Sequence, residues 1–235
     1  MMVLERFFSA TLHKLNGFFN KEEEDKPKVR ANTQTVTFYS YKGGVGRTLA
    51  LRYLSKFIKR NAEEKICIID FDLEAPGASV KFSSKNDGVV DYLGSREVFG
   101  NFNTYVQKCD DNIDIVSAGK GLFGAEYFDE AFNVTAKNFS GYKNGKEEIS
   151  TFVQSIKNSG RYNYIFIDSR AGITPLSLLS TIGLSDIVVL FIVPNDESIL
   201  GSRFLYDMIF KVARDSKDEP PLIIPTLSRT PTQPC

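Results

Sequence analysis

Residues 42–48 read KGGVGRT, bringing three glycines, two cations and a threonine into one short stretch. The pattern approaches the phosphate-binding signature G-x-x-x-x-G-K-[ST], but Arg47 stands where the signature has lysine, and an additional Lys42 leads the stretch. Glycines let successive backbone N–H groups crowd around phosphate oxygens, and a helix beginning near Thr48 aims its positive end at them. Gly43, Gly44, Val45, Gly46, Arg47, Thr48 and Leu49 therefore form the candidate nucleotide-binding set, with the Thr48 hydroxyl placed to reach Mg²⁺. A guanidinium is permanently charged and can grip two phosphate oxygens, yet its planar fork cannot reproduce the point contact of an ammonium. Binding is expected to survive the exchange, and the hydrolysis rate is what the exchange puts in question.

Two further stretches supply carboxylates. "IIDFDLEAPG" at 68–77 carries Asp70 and Asp72 on alternate positions of a strand exit, so both can face one side. "YNYIFIDSRAG" at 162–172 is an apolar run that ends in Asp168. Carboxylates at the C-terminal edge of a parallel sheet face the ligand crevice, where they can hold a hard cation or orient a water. An aspartate at a strand end says little alone.

The elements that must position these groups follow from periodicity. Short β-branched runs alternate with longer helical patterns, which predicts an α/β fold: a doubly wound, mostly parallel sheet with helices on both faces. Strands are expected over 35–40, 65–70, 113–116, 164–168, 187–193 and 222–225, and helices over 48–61, 149–158, 175–183 and 197–214. The stretch 119–146, polar, aromatic and punctuated by glycine, is given no element. "MMVLERFFSATLHKLNGFFN" at 1–20 places Leu4, Phe7, Phe8, Leu12, Leu15, Phe18 and Phe19 on one helical face. The charged run 21–34 reads as a solvated linker, so the domain proper is expected over 35–235, with the possibility of truncation at its C-terminal end.

Composition narrows the partners. At 235 residues and 42% hydrophobic, the chain can bury one sizeable core. Lys plus Arg equals Asp plus Glu at 29 each, so no global field steers it toward nucleic acid or an anionic membrane. Cys67, Cys109 and Cys235 are odd in number and lack metal-ligand spacing, which suits a reducing cytoplasm. No apolar run approaches the roughly 18 residues of a membrane span. The expected location is cytoplasmic, with peripheral membrane attachment the lesser alternative.

The segment 42–48 resembles the deviant phosphate loop K-G-G-x-G-K-T of the ParA/MinD partition-type ATPases, in the variant whose second lysine is arginine. The resemblance spans about 35–231. It implies a P-loop NTPase fold of the SIMIBI-like kind, ATP and Mg²⁺ as cofactors, and a homodimer that sandwiches two nucleotides. By position, Lys42 would cross to the partner subunit's phosphates and join Arg47 and Asp72 as the catalytic set, Asp72 orienting the attacking water. Thr48, Asp70 and Asp168 would surround the metal, and Gly172 would sense the γ-phosphate. "NDGVVDYL" and "VVLFIVPNDESILG" are weaker echoes. The family reads its base just after the last strand, here "PTLSRTP", which nominates Thr226, Ser228 and Arg229 for adenine.

The resemblance implies an ATP-dependent dimerisation switch that hydrolyses slowly and acts on a protein partner. A nucleotide-binding sensor of a bacterial conflict or signalling system, with negligible hydrolysis, is the first alternative. A DNA or cargo-positioning ATPase is the second, disfavoured by the neutral net charge. The N-terminal helix is expected to dock a protein in preference to a membrane, because Glu5 interrupts the basic excess that an interfacial anchor prefers.

Overall fold

The computed structural model of the chain describes residues 33–60, 63–84, 86–95, 101–138, 146–216 and 219–229. The expected helix over 1–20 and nearly all of the expected linker lie outside them. The described residues form seven strands, β1 (Gln34–Ser40), β2 (Ile66–Asp70), β3 (Val106–Asp110), β4 (Ile113–Val116), β5 (Tyr164–Asp168), β6 (Ile187–Ile192) and β7 (Leu222–Leu227). Between them run α1 (Arg47–Ile58), α2 (Gly77–Lys81), α3 (Val89–Gly94), α4 (Ala125–Asn138), α5 (Lys146–Asn158), α6 (Pro175–Leu178) and α7 (Asp196–Ser216).

The strands pair in the order β3-β4-β2-β5-β1-β6-β7. Every pairing is parallel except β3 with β4. Central strands of a parallel sheet lie under helices on both faces, so their side chains are apolar on both, as the near-continuous burial of β1, β2, β5 and β6 shows. Cys67, Ile69, Ile165 and Ile167 enter one core cluster with Tyr127 of α4 and Phe152 of α5. The alternate residues face the other side, where Phe38 packs edge-on against Phe166 with ring centroids 5.2 Å apart.

Helix α5 shows why the periodicity was readable. Ile149, Phe152, Val153 and Ile156 are buried at helical spacing, with Glu147 and Glu148 in the first turn and Lys157 in the last, each charge favourable to the helix dipole. Each such burial contributes roughly 1.5–3 kcal/mol. The segment 119–146, given no element from sequence, contains the 14-residue α4. Strand β3 was also not anticipated: it is a half-exposed edge carrying Lys108 and Asp110, without the apolar run that marks its neighbours. The expected helix over 175–183 starts on a Thr174 cap with Pro175 in its first turn, then widens into a π-helical turn over Leu179–Gly183. Among the described residues, no helix is long and apolar enough to cross a membrane.

Candidate functional site

The chain leaves β1 for β2 on one side and later reaches β6 on the other, so the sheet changes winding direction at β1. Ligands of open α/β sheets bind at such a point, outside the carboxyl ends of the strands. The glycine loop lies there, between Ser40 and Arg47. Gly44 and Gly46 adopt left-handed backbone, at φ 67° and 93°, which turns the chain sharply into α1. Gly46 is the N-cap, so the loop amides lead directly into the positive end of a 12-residue helix.

Three carboxylates converge beside it. Asp70 and Asp168 stand opposite each other in the β2–β5 register. The Thr48 hydroxyl donates to Asp168 Oδ2 at 2.7 Å. Burial raises the Asp168 carboxyl above its ordinary range, against the opposing pull of Thr48 and the Arg47 guanidinium. Burial likewise raises Asp70, and the Asp168 charge adds to the effect. The oxygens of Asp70 are already engaged: Oδ2 accepts from the Ser79 amide and hydroxyl, each at 2.7 Å, and Oδ1 accepts from the Asp72 amide at 3.1 Å. Asp70 thus ties β2 to the start of α2 and shapes the loop that carries Asp72.

Arg47 folds inward and is 9% exposed, with Nη2 3.8 Å from Asp72 Oδ2. Burial raises the Asp72 carboxyl and the Arg47 charge opposes that rise. Two buried atoms at this spot have no hydrogen-bond partner, Arg47 Nη1 and Asp168 Oδ1. A free donor on a permanent cation and a free acceptor on a carboxylate are what a phosphate with its cation would satisfy. Among the described residues, no group of three or more His, Cys, Asp or Glu forms a metal cage. The Thr48 hydroxyl and Asp168 carboxylate are hard oxygen donors, the type Mg²⁺ takes in ones and twos beside phosphate and water.

Lys42 lies at the mouth, where its ammonium pairs with Glu197 in the first turn of α7. Side-chain exposures of 38% and 66% make this a weak tie, worth about 0–1 kcal/mol. Gly172 follows β5 in left-handed backbone at φ 78°, and its N–H donates to the Ser40 carbonyl at 3.1 Å. Of the residues nominated for adenine, Ser228 donates to the Val45 carbonyl at 2.5 Å and Arg229 donates to the Gly44 carbonyl. Both lie against the glycine loop. Thr226 is buried at 4% exposure, its hydroxyl 3.5 Å from the Ile224 carbonyl of its own strand.

Gly77 and Ser79 were not singled out from sequence. A Cβ on Gly77 would lie 2.9 Å from Thr48 Oγ1, so only glycine lets α2 approach the hydroxyl this closely. Ser79 links Asp70 to the loop that follows β4, because its oxygen also accepts from the Ala118 amide at 2.9 Å. Glu74 pairs with Arg170, joining the loops after β2 and β5. The only sequence signal for these residues was their place within "DLEAPGAS" and "DSRAG".

Fold and site together define the class: a seven-stranded, mostly parallel α/β protein with the P-loop NTPase fold. Solved structures of that fold include a putative plasmid partition protein from Borrelia burgdorferi bound to AMPPNP, at 17% identity over 86% of this chain and 76% of that one, TM-score 0.65. The MinC:MinD cell division complex of Aquifex aeolicus matches at 18% identity over 82% and 68% of the two chains, TM-score 0.57. A ParA family ATPase from Chlorobium tepidum matches at 16% identity over 86% and 76%, TM-score 0.55. No protein-family model matches the sequence, and no curated protein matches it.

Proposed function

We propose that this chain is an ATP-dependent dimerisation switch that binds Mg·ATP in the loop 42–48, hydrolyses it slowly and acts on a partner protein. The observation that carries the reading is the pair of unpartnered buried atoms, Arg47 Nη1 and Asp168 Oδ1, beside Thr48 at a glycine loop that opens a helix. The loop amides and Arg47 would hold the phosphates, and Thr48 with Asp168 would hold the cation. Bound Mg²⁺ would offset charge on the transferred phosphoryl group. Asp72 would orient a water once the nucleotide draws Arg47 away from it. Lys42, whose ammonium among the described residues pairs with exposed Glu197, would cross to the phosphates of a second subunit. Catalysis would then rest on positioning and electrostatics, without a covalent step. The AMPPNP-bound partition protein and the MinC:MinD complex support a nucleotide ligand and a protein partner by likeness of fold.

Light scattering with a non-hydrolysable ATP analogue and Mg²⁺ tests this. Wild type should become a dimer, and Lys42→Ala should remain a monomer with analogue affinity within a few-fold of wild type. A Lys42→Ala protein that dimerises normally refutes the crossing role. A second reading, a sensor with negligible hydrolysis, is favoured by the Arg47–Asp72 pair, which engages the carboxylate that a water would need. Phosphate release measured beside affinity separates the two, since tight binding without release supports the sensor.

A further inference from the structure

Helix α4 carries an apolar flank that no part of the nucleotide site uses. Tyr127, Ala131 and Val134 face the core. Phe128 and Phe132, one turn apart, are 42% and 74% exposed. Just before the helix, Phe123 is 63% exposed and held in left-handed backbone at φ 69°, a conformation that a bulky residue adopts only at a cost. Exposed aromatic surface of this kind marks a place of contact.

Charge decides the occupant. Residues 125–136 contain three acids, Glu126, Asp129 and Glu130, and no base; the one basic residue of α4, Lys137, follows them. Helical spacing puts Ala125, Phe128, Asp129 and Phe132 on one face, and Glu126, Asp129 and Glu130 on the adjoining one, so Asp129 stands on the border of both. The acidic side borders a groove of about 480 Å³ toward Leu93 and Gly94 at the end of α3. Phosphate backbones and anionic bilayers are repelled by such a surface. A cationic amphipathic helix is complementary to it, apolar side on the phenylalanines and basic side on the acids.

The same helix touches the loop that carries Asp72: the Tyr127 hydroxyl, on the buried face of α4, donates to the Leu73 carbonyl at 2.6 Å. We propose that the Phe128–Phe132 flank of α4 docks a basic amphipathic helix of a partner protein, and that docking is transmitted to the Asp72 loop through Tyr127. The docking stands without the nucleotide reading, and its test uses nucleotide-free protein, so the two fail separately.

The probe is a labelled amphipathic Leu/Lys helix of about 18 residues, titrated into the full chain by fluorescence anisotropy. Phe128→Ala/Phe132→Ala and, separately, Glu126→Gln/Asp129→Asn/Glu130→Gln should each weaken binding at least about tenfold with the circular dichroism spectrum unchanged. A Leu/Glu peptide of equal length should not bind. Hydrogen exchange at the Asp72 and Ala75 amides should slow on docking. Tyr127→Phe should abolish that slowing while leaving the peptide affinity within about twofold. Undiminished affinity in the phenylalanine variant, equal binding of the Leu/Glu peptide, or a self-association that Phe132→Ala dissolves overturns the docking site. Exchange at Asp72 and Ala75 that ignores the peptide overturns the coupling.

Discussion

Replacing Gly77 by alanine tests the geometry on which the cation site depends. The added methyl carbon would stand 2.9 Å from Thr48 Oγ1 and 3.3 Å from Thr48 Cγ2, inside ordinary van der Waals contact with both. Gly77 is not in left-handed backbone, so alanine fits the chain there and the effect is steric. Thr48 must rotate, and its branched Cβ leaves few rotamers, so its hydroxyl loses the 2.7 Å bond to Asp168 and its aim at the crevice. The displaced hydroxyl would also lose its contact with the bound cation, which at the strength of a polar contact to a charged group is about 1.5–3 kcal/mol. With each 1.4 kcal/mol tenfold in affinity, the loss in Mg·ATP binding is about 10- to 100-fold. Calorimetric titration measures it, with a thermal melt to show that the fold persists. Thr48→Ser on its own keeps the hydroxyl beside Asp168 and should stay within a few-fold of wild type, whereas Thr48→Val, which removes it, should reproduce the loss. Normal Mg·ATP affinity in Gly77→Ala or in Thr48→Val refutes the assignment of the Thr48 hydroxyl.

Substitutions at two other residues probe the charges. Burial holds the Asp168 carboxyl above its ordinary 3.8, at about 6, so the folded chain keeps a proton that the unfolded chain has released, and stability falls as pH rises from about 4 to 6. Asp168→Asn should therefore raise the melting temperature of nucleotide-free protein at pH 8 by roughly 5 °C, with the gain vanishing near pH 4, while Mg²⁺-dependent nucleotide binding is lost; calorimetric melts across pH check it. Arg47→Met should weaken nucleotide binding by about 10- to 100-fold through loss of a buried guanidinium, whereas Arg47→Lys should stay within a few-fold of wild type; nucleotide titration distinguishes them.

The legible parts of the site were those with a local cause. The phosphate loop was readable because the left-handed turns at Gly44 and Gly46 need glycine, and the strand ends at Asp70 and Asp168 were readable because doubly buried strands are written as apolar runs. The roles of Ser79, Gly77 and Glu197 were not, since each is defined by a partner from another element: Asp70, Thr48 and Lys42. The edge strand β3 and helix α4 escaped for a related reason. Their solvent faces carry charges or phenylalanines that blur the period, and only packing against β4 and α3 shows which face is buried.

Sequence alone determined the α/β alternation, the place of the glycine loop between a strand and a helix, and the carboxylates that end two apolar strands, because backbone sterics and hydrophobic period act over a few residues. Tertiary structure decided that Asp168 takes the Thr48 hydroxyl, that Asp70 is occupied by Ser79, that Arg47 turns toward Asp72, and that Ser228 and Arg229 bond the carbonyls of Val45 and Gly44. Those contacts join positions distant in the chain, and the order in which strands assemble into a sheet sets them.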